Sequence, residues 1–179
     1  MSIAEKYKRW RHSRGYGVHS PFGYEIVKQV LHPGNYAWYG YRDISNATVG
    51  STRLTERRSR LLLRLASHLN VQSAYIPNNA HPAYITALKC ANSRVRLEHK
   101  RTEIKNVDLI CTSDNELDIQ YIMEYIGRAS GAVAIINPGA SLHETVFTAM
   151  KEGVMFYSPA GILAICRRGM QKVSYSINF

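Results

Sequence analysis

The apolar residues follow two different rhythms, and the change falls near residue 70. Before it, they recur at helical spacing. A short helix over 2–11 is expected to end at Gly15 and Gly17. Ser20 as N-cap and Pro21 at the first helical position open a second helix, whose Phe22, Ile26, Val27, Val30 and Leu31 keep one face until Pro33-Gly34 stops it. Residues 35–52, rich in Tyr, Trp, Gly and Ser without a sustained period, read as a tyrosine-rich loop or short turns. Leu54, Leu61, Leu62, Leu65 and Leu69 then place an apolar stripe on a helix over about 55–68. Beyond residue 70, short apolar runs alternate with helical ones. Strands are predicted over 71–76, 94–97, 107–111 and 132–136, and helices over 83–90, 117–126 and 142–150. Strands over 154–157, 161–166 and 173–177 close the chain. Strands separated by helices imply a parallel sheet covered on both faces. The last three strands have links too short for a crossover, so they are expected to pair antiparallel. The fold class is therefore α/β, a doubly wound and mostly parallel sheet with an antiparallel C-terminal hairpin and an N-terminal helical segment. Residues 1–53 form the basic helical segment and 54–179 the α/β domain, in one compact unit.

A chain of 179 residues is long enough for one core of ordinary size. No apolar run approaches the roughly 18 residues of a membrane span, and residues 1–14 mix charges without an apolar core, so neither a span nor an export signal is expected. A cytoplasmic protein is the expectation. Cys90, Cys111 and Cys166 lie far apart, which gives no support to a disulfide framework or a zinc knuckle.

Charge changes the picture more. The formal net is +10, and residues 1–64 hold 12 Lys+Arg against 4 Asp+Glu, whereas 65–179 hold 11 against 9. Along Lys6-Tyr7-Lys8-Arg9-Trp10-Arg11-His12-Ser13-Arg14, cations interleave with aromatics, a composition that could meet phosphates and stack on bases or lie at an anionic surface. The plainer reading packs Tyr7 and Trp10 on the domain with the charges in water. Arg53, Arg57, Arg58, Arg60 and Arg64 read as a solvated helix face.

Seven histidines show no ligand spacing, and His143-Glu144 lacks the second His of a helix-borne zinc site, so no metal residues are expected. His19 is expected to brace its loop by hydrogen bonds, with an old substrate cleft as the alternative. There is no Gly-x-Ser-x-Gly elbow, phosphate loop or paired-cysteine motif. Nucleophilic and nucleotide hydrolysis are without support.

Two ends of the chain carry a resemblance. Tyr16-Gly17-Val18-His19-Ser20-Pro21-Phe22 resembles the N-terminal His-Gly-Val-His-Ser-Pro-Phe signature of a bacterial group of class I S-adenosylmethionine-dependent methyltransferase-like proteins, with Tyr16 for the first His. Residues 161–166 through 175–179 are similar to that group's closing hairpin, and 59–65 to the helix before its first strand. The resemblance implies a Rossmann-like fold, in agreement with the periodicity.

The likeness fades where cofactor chemistry belongs. After the first strand such enzymes carry an acid and two glycines, whose bare backbone approaches the cofactor. This chain has Ile76-Pro77-Asn78-Asn79-Ala80-His81-Pro82. Asn78 could take the left-handed conformation of the first glycine, while Pro82 replaces the second. Glu98 matches the acid that takes the ribose hydroxyls. Ser113 stands where an acid is expected after the fourth-strand motif, with Asp114 one residue late and so directed to the other side. Asn137-Pro138-Gly139 replaces paired aspartates, which leaves few hard oxygen ligands for a divalent metal.

The resemblance thus implies a degenerate, non-catalytic methyltransferase-like protein that acts by binding. No cofactor is expected, and S-adenosylmethionine is the cofactor if Asn78, Asn79, Glu98 and Ser113 still hold it, as in an O-methyltransferase with an altered loop. A nucleic-acid-binding protein using the basic arm is the second alternative. The basic first third would meet an acidic protein or nucleic acid. Finally, residues 99–107 are too few for a helical crossover, which needs about a dozen. A helix and a strand are therefore read as deleted, one face or edge of the sheet as bare, and a homodimer as its cover.

Overall fold

The computed structural model describes residues 3–113, 119–127, 130–136 and 142–178, with the backbone alone at 101–103, 113, 119, 120, 130 and 136. Seven strands form one sheet: β1 (Ser73–Tyr75), β2 (Arg96–Glu98), β3 (Leu109–Ser113), β4 (Ser130–Ile136), β5 (Val154–Ser158), β6 (Gly161–Arg167) and β7 (Val173–Ser176). Their order is β2-β1-β3-β4-β6-β5-β7. The pairs β1–β2, β1–β3, β3–β4 and β5–β7 are parallel, and β6 runs antiparallel to β4 and β5. This is a Rossmann-like, doubly wound sheet with an antiparallel hairpin near its C-terminus.

Side-chain alternation assigns the two faces, because successive strand residues point to opposite sides. Leu109, Cys111, Val154, Phe156, Leu163 and Ile165 join one buried cluster. Ile110, Met155, Ile162 and Ala164 join the other. The first face is covered by α4 (Arg53–His68), α5 (Pro82–Ala91) and the N-terminal elements, and the second by α6 (Ile119–Ile126) and α7 (Leu142–Ala149).

The N-terminal elements are α1 (Ile3–Ser13), α2 (Pro21–Ile26), a π-helical turn over Val27–Leu31 and α3 (Tyr41–Ala47). Ser20 caps α2 by accepting from Gly23 N at 3.1 Å. At the π turn the His32 N–H reaches Val27 O at 2.8 Å, five residues back. α3 lies inside the stretch read as loop. Its sequence is polar apart from Ile44, which is fully buried, so tertiary packing rather than periodicity makes it a helix.

α4 is bounded by local chemistry. Thr52 accepts from Thr55 N at its start. At its end Asn70 takes φ 53° while Val71 N bonds Ala66 O and Asn70 N bonds Ser67 O, a Schellman close that aims the chain into β1.

Two expectations about the sheet need correction. The short links predict antiparallel pairing for β7, yet it pairs in parallel with β5, because both edges of β6 are already taken by β4 and β5. The bare face is covered as well. A 3-10 helix over Arg101–Asn106 makes the crossover from β2 to β3, burying Ile104, and Lys105 pairs with Glu124 on α6 at 2.8 Å. The longer rise of a 3-10 helix, about 2.0 Å per residue against 1.5 Å, lets a short segment do what an α-helix could not. Edge strand β2 has three residues and carries exposed Arg96.

Candidate functional site

Asn78, Asn79, Glu98 and Ser113 all stand at the C-terminal ends of β1, β2 and β3, which are neighbours in the sheet. The register sets Tyr75 beside Glu98, and the Ile76 N–H donates to Glu98 O at 2.9 Å. In open α/β sheets this is the end at which ligands bind. Sequence position therefore brings the expected residues to one sheet end, with Ser113 at the last position of β3.

The turn between β1 and α5 is closed on itself. Ala80 N donates to Pro77 O at 3.0 Å, and neither Asn78 nor Asn79 takes a left-handed conformation. Both are exposed, while Pro77 is buried. His81 caps α5 by accepting from Ala83 N at its Nδ1, at 3.2 Å. That leaves its Nε2–H to donate to Ser51 Oγ at 2.7 Å, tying the turn to the segment before α4. The Tyr84 N–H bonds His81 O, and His99 Nδ1–H donates to Ile76 O at 2.8 Å. Pro82 has no N–H to offer. The first N–H groups of this helix, the usual anion holders of such folds, are thus taken within the chain.

Glu98 is also engaged. Its carboxylate pairs with Arg96 Nε at 2.9 Å, on the same strand. Asp114 and Asn137-Pro138-Gly139 lie outside the described residues. Asp108, at the opposite end of β3, accepts from Gln72 N, Ser73 N and Ser73 Oγ and so fastens β3 to β1.

The N-terminal signature is structural in its visible contacts. Gly15 and Gly17 take positive φ, Val18 is buried, and Ser20 both caps α2 and donates its N–H to the Tyr175 hydroxyl. His19 is exposed and makes no hydrogen bond among the described residues, so the bracing expected of it falls to Ser20.

α1 docks on the edge of the sheet. Arg9 Nε donates to Ser176 Oγ at 2.7 Å, His12 Nδ1 contacts Ser176 O at 2.9 Å, and Asn178 N donates to Ser13 Oγ. The opposite side carries Tyr7 and Trp10, stacked at 5.8 Å, with Arg14 over the Trp10 ring at 4.4 Å. The plainer reading of the sequence packs these aromatics on the domain. They remain 59% and 45% exposed, because the helix docks through Arg9, His12 and Ser13 instead.

A second concave region was not anticipated. A cavity of about 750 Å³ lies between α4 and the sheet, roofed by residues 31–37 and floored by Cys111, Ala134, Ile162 and Leu163. α4 turns Arg57, Arg58, Arg60 and Arg64 toward it. The solvated-face reading of this cluster therefore holds poorly for Arg64, which is only 9% exposed. Its Nε donates to Val30 O at 2.5 Å and its Nη1 to the Tyr41 hydroxyl at 2.7 Å. Burial pulls its pKa down, and the Tyr41 bond opposes that. The sequence signal was present in the spacing, since Arg57 and Arg64 sit seven residues apart beside the leucine stripe.

Burial pushes the Cys166 thiol up to about 11, and burial followed by the nearby Asp43 carboxylate raises Cys90. Among the described residues no three His, Cys, Asp or Glu side chains gather in a metal-binding group, and no helix is long and apolar enough to cross a membrane.

No family model and no curated protein matches the chain. Among solved structures it is similar to a methyltransferase from Geobacter sulfurreducens, at 12% identity over 80% of this chain and 97% of that one, with a TM-score of 0.49. Likeness at that level carries no argument about activity, and the fold assignment rests on the strand order and register described above.

Proposed function

We propose that the chain is a non-catalytic binding protein on a methyltransferase-like scaffold. The carrying observation is the closed turn of residues 77–81, in which the α5 N-terminus is capped by His81 rather than left open to a ligand. S-adenosylmethionine binding in this fold class would need free backbone donors and a free acid at that sheet end. Glu98, held by Arg96, and the exposed amides of Asn78 and Asn79 are what remains, and they fit the cofactor poorly. Isothermal titration with S-adenosylhomocysteine should show no saturable binding. A dissociation constant in the micromolar range would instead support the altered-loop O-methyltransferase.

The second reading is nucleic-acid binding, and the outward stack of Tyr7, Trp10 and Arg14 on α1 favours it. Exposed aromatics beside cations are a sequence-tolerant platform for single strands. Retention on heparin with a steep salt dependence, reduced in Trp10→Ala, supports it; salt-insensitive or absent binding of single-stranded RNA removes it. A homodimer, expected as cover for a bare sheet face, would have to use other apolar surface. The large exposed hydrophobic residues, among those described, all lie at or before Leu54 and not on the sheet edge. A monomer by light scattering at micromolar concentration would exclude the homodimer.

A further inference from the structure

We infer that the cavity between α4 and the sheet binds an amphipathic organic anion, of the class of alkyl or aryl phosphate esters. Arg64 carries a charge with no counter-charge among the described residues. Arg64 is nine-tenths buried, and a guanidinium does not give up its proton inside a protein. Its hydrogen bonds go to the Val30 carbonyl and the Tyr41 hydroxyl, which are both neutral and use two of its five N–H groups. A buried ion without an opposite partner is strongly disfavoured unless something else supplies the charge.

Among the described residues the lining contains four arginines and no Asp or Glu. Arg60 has a carboxylate partner, Glu56 at 2.6 Å, outside the lining. Neither Arg57 nor Arg64 contacts a carboxylate among the described residues. Two further lining atoms, Arg60 Nε and His32 Nε2, are buried without a hydrogen-bond partner. A polar atom left in that state calls for a partner.

Helix geometry separates charge from grease. At about 100° per residue, Arg57, Arg60 and Arg64 fall in one row along α4, and Leu54, Leu61 and Leu65 fall in the adjacent row. The leucines continue into Leu163 and Ala134 on the floor. One row of α4 in the chamber is thus cationic and the next apolar, with Arg58 beyond the leucines, which selects a ligand that joins an anionic to an apolar part. Two uncompensated guanidiniums suit a dianion better than a monoanion, and the guanidinium fork matches phosphate oxygens. The volume lies within the range of small-molecule pockets. None of Asn78, Asn79 or Glu98 lines this space, so the inference stands whether or not the β1–α5 turn holds a cofactor.

The test is isothermal titration of the full chain with octyl phosphate below its micellar concentration, beside inorganic phosphate and octan-1-ol. Octyl phosphate should saturate a single site with a dissociation constant below about 100 μM, and each half-ligand should bind at least about tenfold more weakly. Arg64→Met and Arg57→Gln should each weaken octyl phosphate about tenfold or more, and Leu61→Trp should weaken it by filling the chamber. Arg57 is exposed, so Arg57→Gln decides the matter if Arg64→Met does not fold. No saturation by about 1 mM would overturn the inference. So would an unchanged affinity in Arg57→Gln, or octan-1-ol binding as tightly as octyl phosphate.

Discussion

The turn after β1 and the chamber beneath α4 have traded places in polar satisfaction. At the turn, a proline removes one N–H, a histidine takes the next, and the nearby acid is held by an arginine two residues before it. In the chamber, the Arg64 guanidinium meets only a carbonyl and a hydroxyl, and neither Arg57 nor Arg64 contacts a carboxylate among the described residues. The contrast teaches that position in a fold does not make a ligand site. A site is where the chain leaves polar groups for something else to satisfy.

The strongest way to test that contrast is to deepen the deficit. Tyr41→Phe removes a neutral acceptor from the buried Arg64 and should cost about 2 kcal/mol in urea denaturation, with part of it regained in octyl phosphate. A loss of under about 0.5 kcal/mol would mean that water already serves Arg64. At the satisfied pole, His81→Ala deletes the α5 cap and the Ser51 bond. It should cost about 1 kcal/mol and leave octyl phosphate affinity unchanged. Smaller still is Pro82→Gly, expected to lower stability by about 0.5 kcal/mol through greater freedom of the unfolded chain. It should not create S-adenosylhomocysteine binding, since His81 still takes the Ala83 N–H. Binding in that variant would show that the proline alone closed the site.

The smallest expected effect is a pH dependence. Burial holds both His32 and His12 below their ordinary value of 6.5, so folding favours their neutral forms. The unfolded chain then binds more protons. Stability is full above about 6.5 and declines as pH falls through the folded values. Urea midpoints at pH 7.5 and 5.5 measure the loss, and it should shrink in His32→Phe. An equal loss in that variant would assign the dependence to other groups.

Much of this was legible from side-chain rhythm. The Ser20-Pro21 start, the leucine stripe of α4 and the alternation of strand with helix each follow from short-range rules, and each appears in the structure. The location of Asn78, Asn79, Glu98 and Ser113 at one sheet end followed from the strand order. What escaped was set by distant neighbours. α3 is helical because Ile44 is buried by other elements, and β7 lies beside β5 because β6 had no edge left. The burial of Arg64 depends on Val30 and Tyr41, which are 34 and 23 residues away in sequence. A charge pattern on a helix cannot reveal what folds over it.

The docking of α1 on β7 ties the order of synthesis to the order of assembly. Arg9, His12 and Ser13 are made well before their partners Ser176 and Asn178, from which 167, 164 and 165 residues separate them. Until β7 has been made this cationic helix has no dock, so its seating waits on a strand 164 residues further along the chain.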